Sequence, residues 1–430
     1  MNIIQITPGA GGMYCGNCFR DNALVAAWRG LGHQPLMIPL YLPMTLDEAD
    51  QSGAPIFFGG VNVYLDQIMP VFRKAPDWLR RQLDSPRLLK WAGGRTAKTR
   101  AEDVGELTIS MLRGEAGNQS RELDELITWL KTQPRPDVIC LSNAMLLGLA
   151  RRLKSELRAP IVCSLQGEDA FIDAMPPEPR ATVWREMAER GREVDLFIAP
   201  SLYYGERMAA RLEIPPAKLR VVLNGINLDG YTPAFHPPRP PALGFFARMC
   251  RDKGLDLVVE AFILLKQRNR VPELQLRIGG SCGPTDEPFV EELRVRLRSR
   301  GLLGDVSFHP NLDRAAKTEF FRSLSVLSVP AMYGEAFGLY LIEALASGVP
   351  VVQPRVASFP EIVAATGGGV CFEPMTAQAL ADAAEPLLAD AVKSRALGEV
   401  GRKVVLEKFS VTHAASELIE AFQTLPKPSS

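Results

Sequence analysis

The sequence predicts an α/β protein of two doubly wound domains, and three observations carry that expectation. First, the chain opens on a short apolar strand, Asn2 to Thr7, then a loop holding Gly9, Gly11, Gly12 and Gly16. Leu24, Val25 and Trp28 follow at helical spacing, Gly32 stops the helix, and Leu36 to Leu40 reads as the next strand. Second, the same order restarts late in the chain, as "ALGFFARM", "CRDKG", "LDLVVEAFILLKQ" and "ELQLRIGG". Third, "NGINLDGYTPAFHPPRPPALG" lies between the two restarts, rich in proline and glycine and without periodicity, as a linker should be. A chain of 430 residues with 47% hydrophobic side chains can bury two cores of this size.

The remaining elements fit that plan. "PDVICLS", "APIVCSLQGED" and "VDLFIAPS" read as buried strands of the first domain. Their polar carboxyl ends, Gln166, Gly167, Glu168, Asp169 and Ser201, stand where ligands gather in such sheets. In the second domain Val306 to Pro310, Leu324 to Pro330, "PVVQPRV" and "GGGVCFEP" read as strands. Ser410 to Leu425 is a final helix. The first domain is expected to span residues 1–232 with an insertion over about 41–120, and the second 233–409.

Composition excludes some partners. Lys and Arg number 49 against 49 Asp and Glu, without the basic excess that phosphate-backbone binding leaves, so nucleic acid is not expected. No basic segment followed by an apolar run opens the chain, and no run of roughly 18 apolar residues occurs, so a cytoplasmic protein is expected. Of the seven cysteines, Cys140, Cys163 and Cys371 lie in apolar runs and read as buried free thiols. Cys15 and Cys18 have redox spacing, but one pair cannot close a four-ligand zinc site, and no metal site is expected. In residues 72–100, nine bases face two acids among Trp78, Leu79, Leu83, Leu88, Leu89 and Trp91. This stretch reads either as amphipathic helices packed on the domain or as a basic-aromatic surface for an anionic acceptor or the inner face of a membrane.

The chemistry centres on "PAMYGEAFGLYLIEALASGVPVV". Pro330 ends a strand, a small-residue loop follows, and a helix is expected from about Ala336 to Gly338. Free N–H groups and the helix dipole make such a start a phosphate site. Glu335 before it and Glu343 within it suit hydroxyl-rich groups on either side of a diphosphate, about 12 Å apart if the span is helical. Arg248 and Lys253, after the first strand of the domain, would complement the diphosphate and the charge that grows on it as a leaving group.

"FFARMCRDKGLDLVVEAF", "PAMYGEAFGLYLIEALASGVPVV" and "ASFPEIVAATGGGVCFEP", in this order, resemble the donor half of the family-four, GT-B-fold retaining glycosyltransferases. The first half, with its glycine loop, "GHQPLMIP" and "VVLNGINLDGY", resembles the acceptor domain of that family more loosely. The resemblance implies two facing Rossmann-like domains with the active site in the cleft, and a last helix, 410–430, crossing back to the first. It implies transfer of a sugar from a UDP-, GDP- or ADP-sugar to a carbohydrate, lipid-linked or small-molecule hydroxyl, with retention, no cofactor and no obligatory metal. Glu335 would contact the transferred sugar and Glu343 the donor ribose. Arg248, Lys253 and the N–H groups of Gly338 and Leu339 would hold the diphosphate, and Gly12 would allow close approach of the acceptor domain. The chain departs from the family at Gln166, where many members carry histidine, at Ala247, and at Ala357-Ser358-Phe359 in place of a Gly-Gly. His33, His236, His309 and His413 stand outside the motifs. An epimerase or phosphorylase of the same fold, or a non-catalytic sugar-nucleotide binder, is the alternative. The first would need an acid–base pair that Gln166 cannot supply.

Overall fold

The computed structural model describes residues 1–9, 16–44, 46, 48–58 and 101–426. Gly12, Cys15 and the basic-aromatic stretch 72–100 lie outside the described residues. The chain divides into two compact units, Met1–Leu223 with Ala414–Ser430, and Asn224–His413. The division falls ahead of residue 232 because "NGINLDGY" is tied into the second unit. The Ile226 N–H donates to the Phe409 carbonyl, and the Val411 N–H donates back to that of Ile226. Gly225 lies so close beneath Ser410 that a Cβ there would stand 2.3 Å from its carbonyl oxygen.

The first unit holds β1 (Asn2–Thr7), β2 (Gln34–Pro39), β3 (Val138–Leu141), β4 (Ile161–Ser164), β5 (Leu196–Ala199) and β6 (Leu219–Val221). They form one parallel sheet in the order β2-β1-β3-β4-β5-β6. The inner strands are apolar on both faces because helices cover both sides, which is why they read as unbroken hydrophobic runs. The helix Gly16–Gly30 places Trp28 in the core. Its indole N–H donates to the Ala415 carbonyl at 3.2 Å, and its ring lies 5.9 Å from that of Phe422. The terminal helix Val411–Gln423 therefore packs into this unit. Gly32, at φ +83°, closes the first helix in a left-handed conformation that few other residues adopt.

The second unit holds β7 (Ala242–Phe246), β8 (Gln275–Gly280), β9 (Val306–Pro310), β10 (Val326–Leu327), β11 (Val351–Pro354) and β12 (Gly369–Phe372). Their parallel order is β12-β11-β10-β7-β8-β9. Counted from β7, this is the dinucleotide-fold order, whereas the first unit has the flavodoxin-like one. The expected strand Leu324–Pro330 shortens to two residues. At its start the Leu324 N–H still closes on Phe321, and at its end Ala331 turns back onto Val329. Cys140 and Cys163 are buried as expected, but Cys371 is only half-buried. It lies on β12, the sheet edge, where one flank has no neighbouring strand.

Candidate functional site

In the second unit the strand order reverses between β10 and β7, and their carboxyl ends diverge there. The loops that follow them are interlocked. Gly254 has φ +72°, and a Cβ on it would lie 2.1 Å from the Pro330 carbonyl oxygen, so only glycine lets the two loops approach this closely. The Met332 N–H donates to the Asp252 carbonyl at 2.9 Å.

This interlock brings Lys253 and Glu335 together. The Lys253 ammonium donates to Glu335 Oε1 at 2.5 Å, with side chains 21% and 16% exposed. The Tyr340 hydroxyl donates to the same oxygen at 3.2 Å, and the Tyr333 ring centroid lies 5.3 Å from the ammonium. Burial opposes the charge on Lys253, but the Glu335 carboxylate and Tyr333 outweigh it and hold its pKa above the ordinary lysine value. Burial, with Glu335 second, pushes the Tyr340 hydroxyl well up, so it remains a donor.

The helix starts later than its sequence suggests. Gly338, at φ +90°, cannot continue a right-handed turn, so the helix is Leu339–Ala346 and Glu335 stands in the loop ahead of it. A purely helical rise of about 12 Å from Glu335 to Glu343 therefore does not apply. No side chain caps this helix. Its leading N–H groups thus keep the exposed partial positive charge of an uncapped start. The segment Ala357-Ser358-Phe359 backs onto the loop: the Ser358 hydroxyl donates to the Phe337 carbonyl at 3.2 Å, and Ala357 takes φ +53°.

Glu343 is not a solvated side chain. It is 8% exposed, accepts from the Tyr231 hydroxyl at 2.7 Å, and pairs with the Lys317 ammonium at 3.0 Å. Burial, with Glu343 second, raises the Tyr231 hydroxyl well above its usual pKa. Arg248 is held from the side. Its Nε donates to both oxygens of the buried Asp286, at 2.9 and 3.1 Å, and its side chain remains 55% exposed. Asp286 is in turn fixed by the Gly283 N–H at 3.0 Å. The structure thus joins Lys253 to Glu335 directly, and gives Arg248 and Glu343 partners of their own.

In the first unit Glu168 is buried and accepts from the N–H groups of Ala144 and Gln166, at 2.7 and 2.8 Å, and from the Tyr204 hydroxyl at 2.9 Å. Burial raises its pKa despite those donors. Asp169 is paired with Arg207 at 2.6 Å, and Ser201 caps the helix Leu202–Leu212. Of the strand-end polar residues, Asp169 and Ser201 are thus engaged within the fold. Among the described residues no group of three or more His, Cys, Asp or Glu is arranged to hold a metal ion. No helix among them is long and apolar enough to cross a membrane.

Sequence reasoning missed Asp286, Lys317, Tyr231 and Tyr340. Tyr340 was within reach, five residues after Glu335 in the same motif. The others come from distant segments and meet the site only through the fold.

Residues 233–404 match the family described as Glycosyl transferases group 1, and residues 58–229 match Glycosyltransferase Family 4. The chain is similar to the lipopolysaccharide core biosynthesis mannosyltransferase of Rhizobium meliloti, at 28% identity over 54% of this chain and 67% of the relative. It is also similar to the D-inositol 3-phosphate glycosyltransferase of Streptomyces scabiei, at 32% identity over 45% of this chain and 46% of the relative. The matched segment spans about half to two thirds of these curated relatives. Among solved structures, the sucrose-phosphate synthase of Thermosynechococcus elongatus superposes with a TM-score of 0.70 at 18% identity, over 98% of each chain. The Anabaena HepE protein, solved with UDP and glucose, gives 0.67 at 16% identity, over 98% of this chain and 99% of that one. At such identities the agreement is one of fold.

Proposed function

Because the chain belongs to the family-four glycosyltransferases of the GT-B fold, we propose that it is a retaining glycosyltransferase that moves a sugar from a nucleoside-diphosphate sugar to a hydroxyl acceptor. The observation that carries this reading is the pairing of Lys253 with Glu335 at the strand reversal, beside an uncapped helix start. An ammonium has three donor hydrogens, so Lys253 can keep Glu335 and still reach a diphosphate oxygen. Glu335 has a second carboxylate oxygen for sugar hydroxyls. Arg248, half-exposed and held by Asp286 through Nε and Nη2, keeps Nη1 to offer to the same diphosphate. The N–H groups of Gly338 and Leu339 meet the phosphate oxygens, as at other helix starts. Glu343 takes the ribose hydroxyls.

In the reaction the acceptor oxygen bonds to the anomeric carbon on the face from which the diphosphate leaves. The carbon–oxygen bond to the phosphate breaks, and the departing phosphate oxygen takes the acceptor proton. No side-chain nucleophile is needed. Lys253 and Arg248 stabilise the charge that builds on the leaving group, which is where fixed cations help a transition state more than a ground state. The role of Gly12 in the acceptor domain belongs to the same reading.

A melting-temperature screen with UDP-, GDP- and ADP-sugars tests it. A donor at 100 times its Kd should stabilise the protein by about 2.7 kcal/mol, and the donor that does so should be turned over, slowly to water and faster to an acceptor, in excess chelator. Stabilisation without turnover on any acceptor would make the protein a binder. Complete metal dependence would remove the proposed leaving-group chemistry.

A further inference from the structure

We infer that Tyr340 is a positioning residue for the sugar end of the donor site: together with Lys253 it fixes one oxygen of Glu335, and so turns the other toward the hydroxyls of the transferred sugar. The inference rests on the transferase reading above. The Tyr340 hydroxyl donates to Glu335 Oε1 at 3.2 Å, and the Lys253 ammonium donates to that same oxygen. Oε2 has no hydrogen-bond partner among the described residues, and the Glu335 side chain keeps 16% of its surface open. Two donors thus converge on one carboxylate oxygen and none on its twin.

The contact is built from one short stretch of chain. Gly338, at φ +90°, turns the backbone sharply ahead of the helix Leu339–Ala346, and Tyr340 is the second residue of that helix. The turn brings Glu335 within reach of a side chain five positions later. The Tyr340 ring is buried, so its hydroxyl has little room to swing. Burial and the nearby carboxylate keep that hydroxyl protonated, and it has a single hydrogen to give. A phenylalanine would fill the same space and donate nothing. The Glu335 backbone is held separately, since its carbonyl accepts from the Ser358 N–H at 3.4 Å.

Lysine alone would not fix the carboxylate in this way. The terminal torsion of a glutamate is broad, so the two oxygens exchange places easily. An ammonium with three hydrogens can also bridge both of them. Either motion takes Oε2 away from a sugar, and bridging draws the ammonium off the diphosphate. A second donor on Oε1, fixed by a buried ring, selects one orientation of the carboxylate plane. The consequence is confined to the sugar: a nucleoside diphosphate that has lost its sugar makes no use of Oε2.

The test compares the parent with Tyr340→Phe on whichever of UDP-glucose, GDP-mannose and ADP-glucose the parent turns over, and on the matching nucleoside diphosphate. For the sugar donor, kcat/KM should fall about ten-fold or more, the scale of one hydrogen bond to a charged group. The Kd of the nucleoside diphosphate, by calorimetry, should stay within about two-fold. In a Glu335→Ala background, Tyr340→Phe should change kcat/KM by about two-fold or less, because a residue that acts through Glu335 has nothing left to position. An unchanged kcat/KM overturns the inference. So does an equal loss of nucleoside diphosphate affinity, which a merely structural tyrosine would produce, or a full further loss in the Glu335→Ala background. Lys253 remains on Oε1 in Tyr340→Phe, so no charge is left unpaired and the variant should melt close to the parent. Tyr340→Met, which also lacks a donor and packs flexibly, carries the same comparison if it does not. A parent that turns over none of the nucleotide sugars fails the transferase reading instead, so the two failures are distinct.

Discussion

The two sheets each have six parallel strands and one reversal of order, yet the reversals are equipped in opposite ways. In the second unit, charge is left at the reversal: Lys253 meets Glu335 beside a helix start that no side chain caps, and Arg248, held by Asp286, stays half-exposed. In the first, the charged side chains among the described residues are spent inside the fold. Arg20 pairs with Asp21, Glu168 accepts from two backbone N–H groups and the Tyr204 hydroxyl, and the described lining of the space at the strand ends mixes Leu42, Leu107, Met111, Leu146 and Phe171 with Asn17, Thr108, Asn143 and Gln166. Strand order decides where a ligand can bind, because it decides where neighbouring loops part. Which ligand binds depends on whether the ionisable groups at that place are spent inside the fold or left facing outward. A diphosphate needs ionisable groups left facing outward.

The sharpest way to break this contrast is to remove the cation from the second unit. Lys253→Ala should lower kcat by about 10²- to 10³-fold, the scale on which one fixed group at a developing charge is felt, with a much smaller change in donor affinity. Gln166→Ala, at the other reversal, should act mainly on acceptor KM. Single-turnover kinetics with saturating donor separates the two, and equal losses of kcat from both would erase the distinction. The pH dependence follows with a definite sign. The folded pKa of Lys253 is raised, so the stability it contributes is complete below the unfolded lysine value of about 10.4 and is lost only as pH climbs through the higher folded value. The difference in melting temperature between the parent and Lys253→Met should therefore stay flat from about pH 7 to pH 9.5. A decline within that window would mean that Glu335 does not hold the ammonium.

A smaller effect is expected at Glu343. Its replacement by Ala would take from the buried Lys317 its carboxylate partner, at up to about 3–5 kcal/mol, and would confuse folding with binding. Tyr231→Phe is the cleaner change. It removes one hydrogen bond to a carboxylate, about 1.5–3 kcal/mol by urea denaturation, and leaves the ion pair. If Glu343 serves the ribose, donor Kd should shift in the same protein while kcat at saturating donor stays within a few-fold. An unchanged Kd would leave Glu343 as a structural anchor for the segment that carries Tyr231.

These residues also show what was legible beforehand. The strand–glycine–helix restarts could be read because parallel strands are apolar on both faces and their loops need small residues. Glu335, Lys253, Arg248 and Glu343 could be singled out as candidates because each lies within a continuous local motif. Tyr231, Lys317 and Asp286 could not, since a buried carboxylate or guanidinium can be satisfied by any segment the topology brings near. The start of the site helix was misjudged for a local reason. The sequence "EAFG" has helical character, but a single left-handed glycine overrides it.

The least expected gain in the second unit lies at Ala357, where the chain departs from the family's Gly-Gly. Ala357 takes φ +53°, a conformation that costs an L-residue about 1 kcal/mol or more. Glycine accepts it without strain but gives back some of that in unfolded-state entropy. Ala357→Gly should therefore raise stability by about 0.5–1 kcal/mol in urea denaturation. The same site tests why the loop bearing Glu335 needs glycine. A Cβ on Gly334 would stand 2.4 Å from the Ala357 Cβ, and Gly334 itself has φ +82°. Gly334→Ala should be costly for both reasons, and adding Ala357→Gly should return only the part due to the clash. Full recovery in the double variant would show that close packing alone, not backbone conformation, sets the path of the loop. No recovery would show the reverse. Partial recovery, the expected result, would mean that the chain holds Glu335 against Lys253 by a left-handed turn and a close backbone contact acting together.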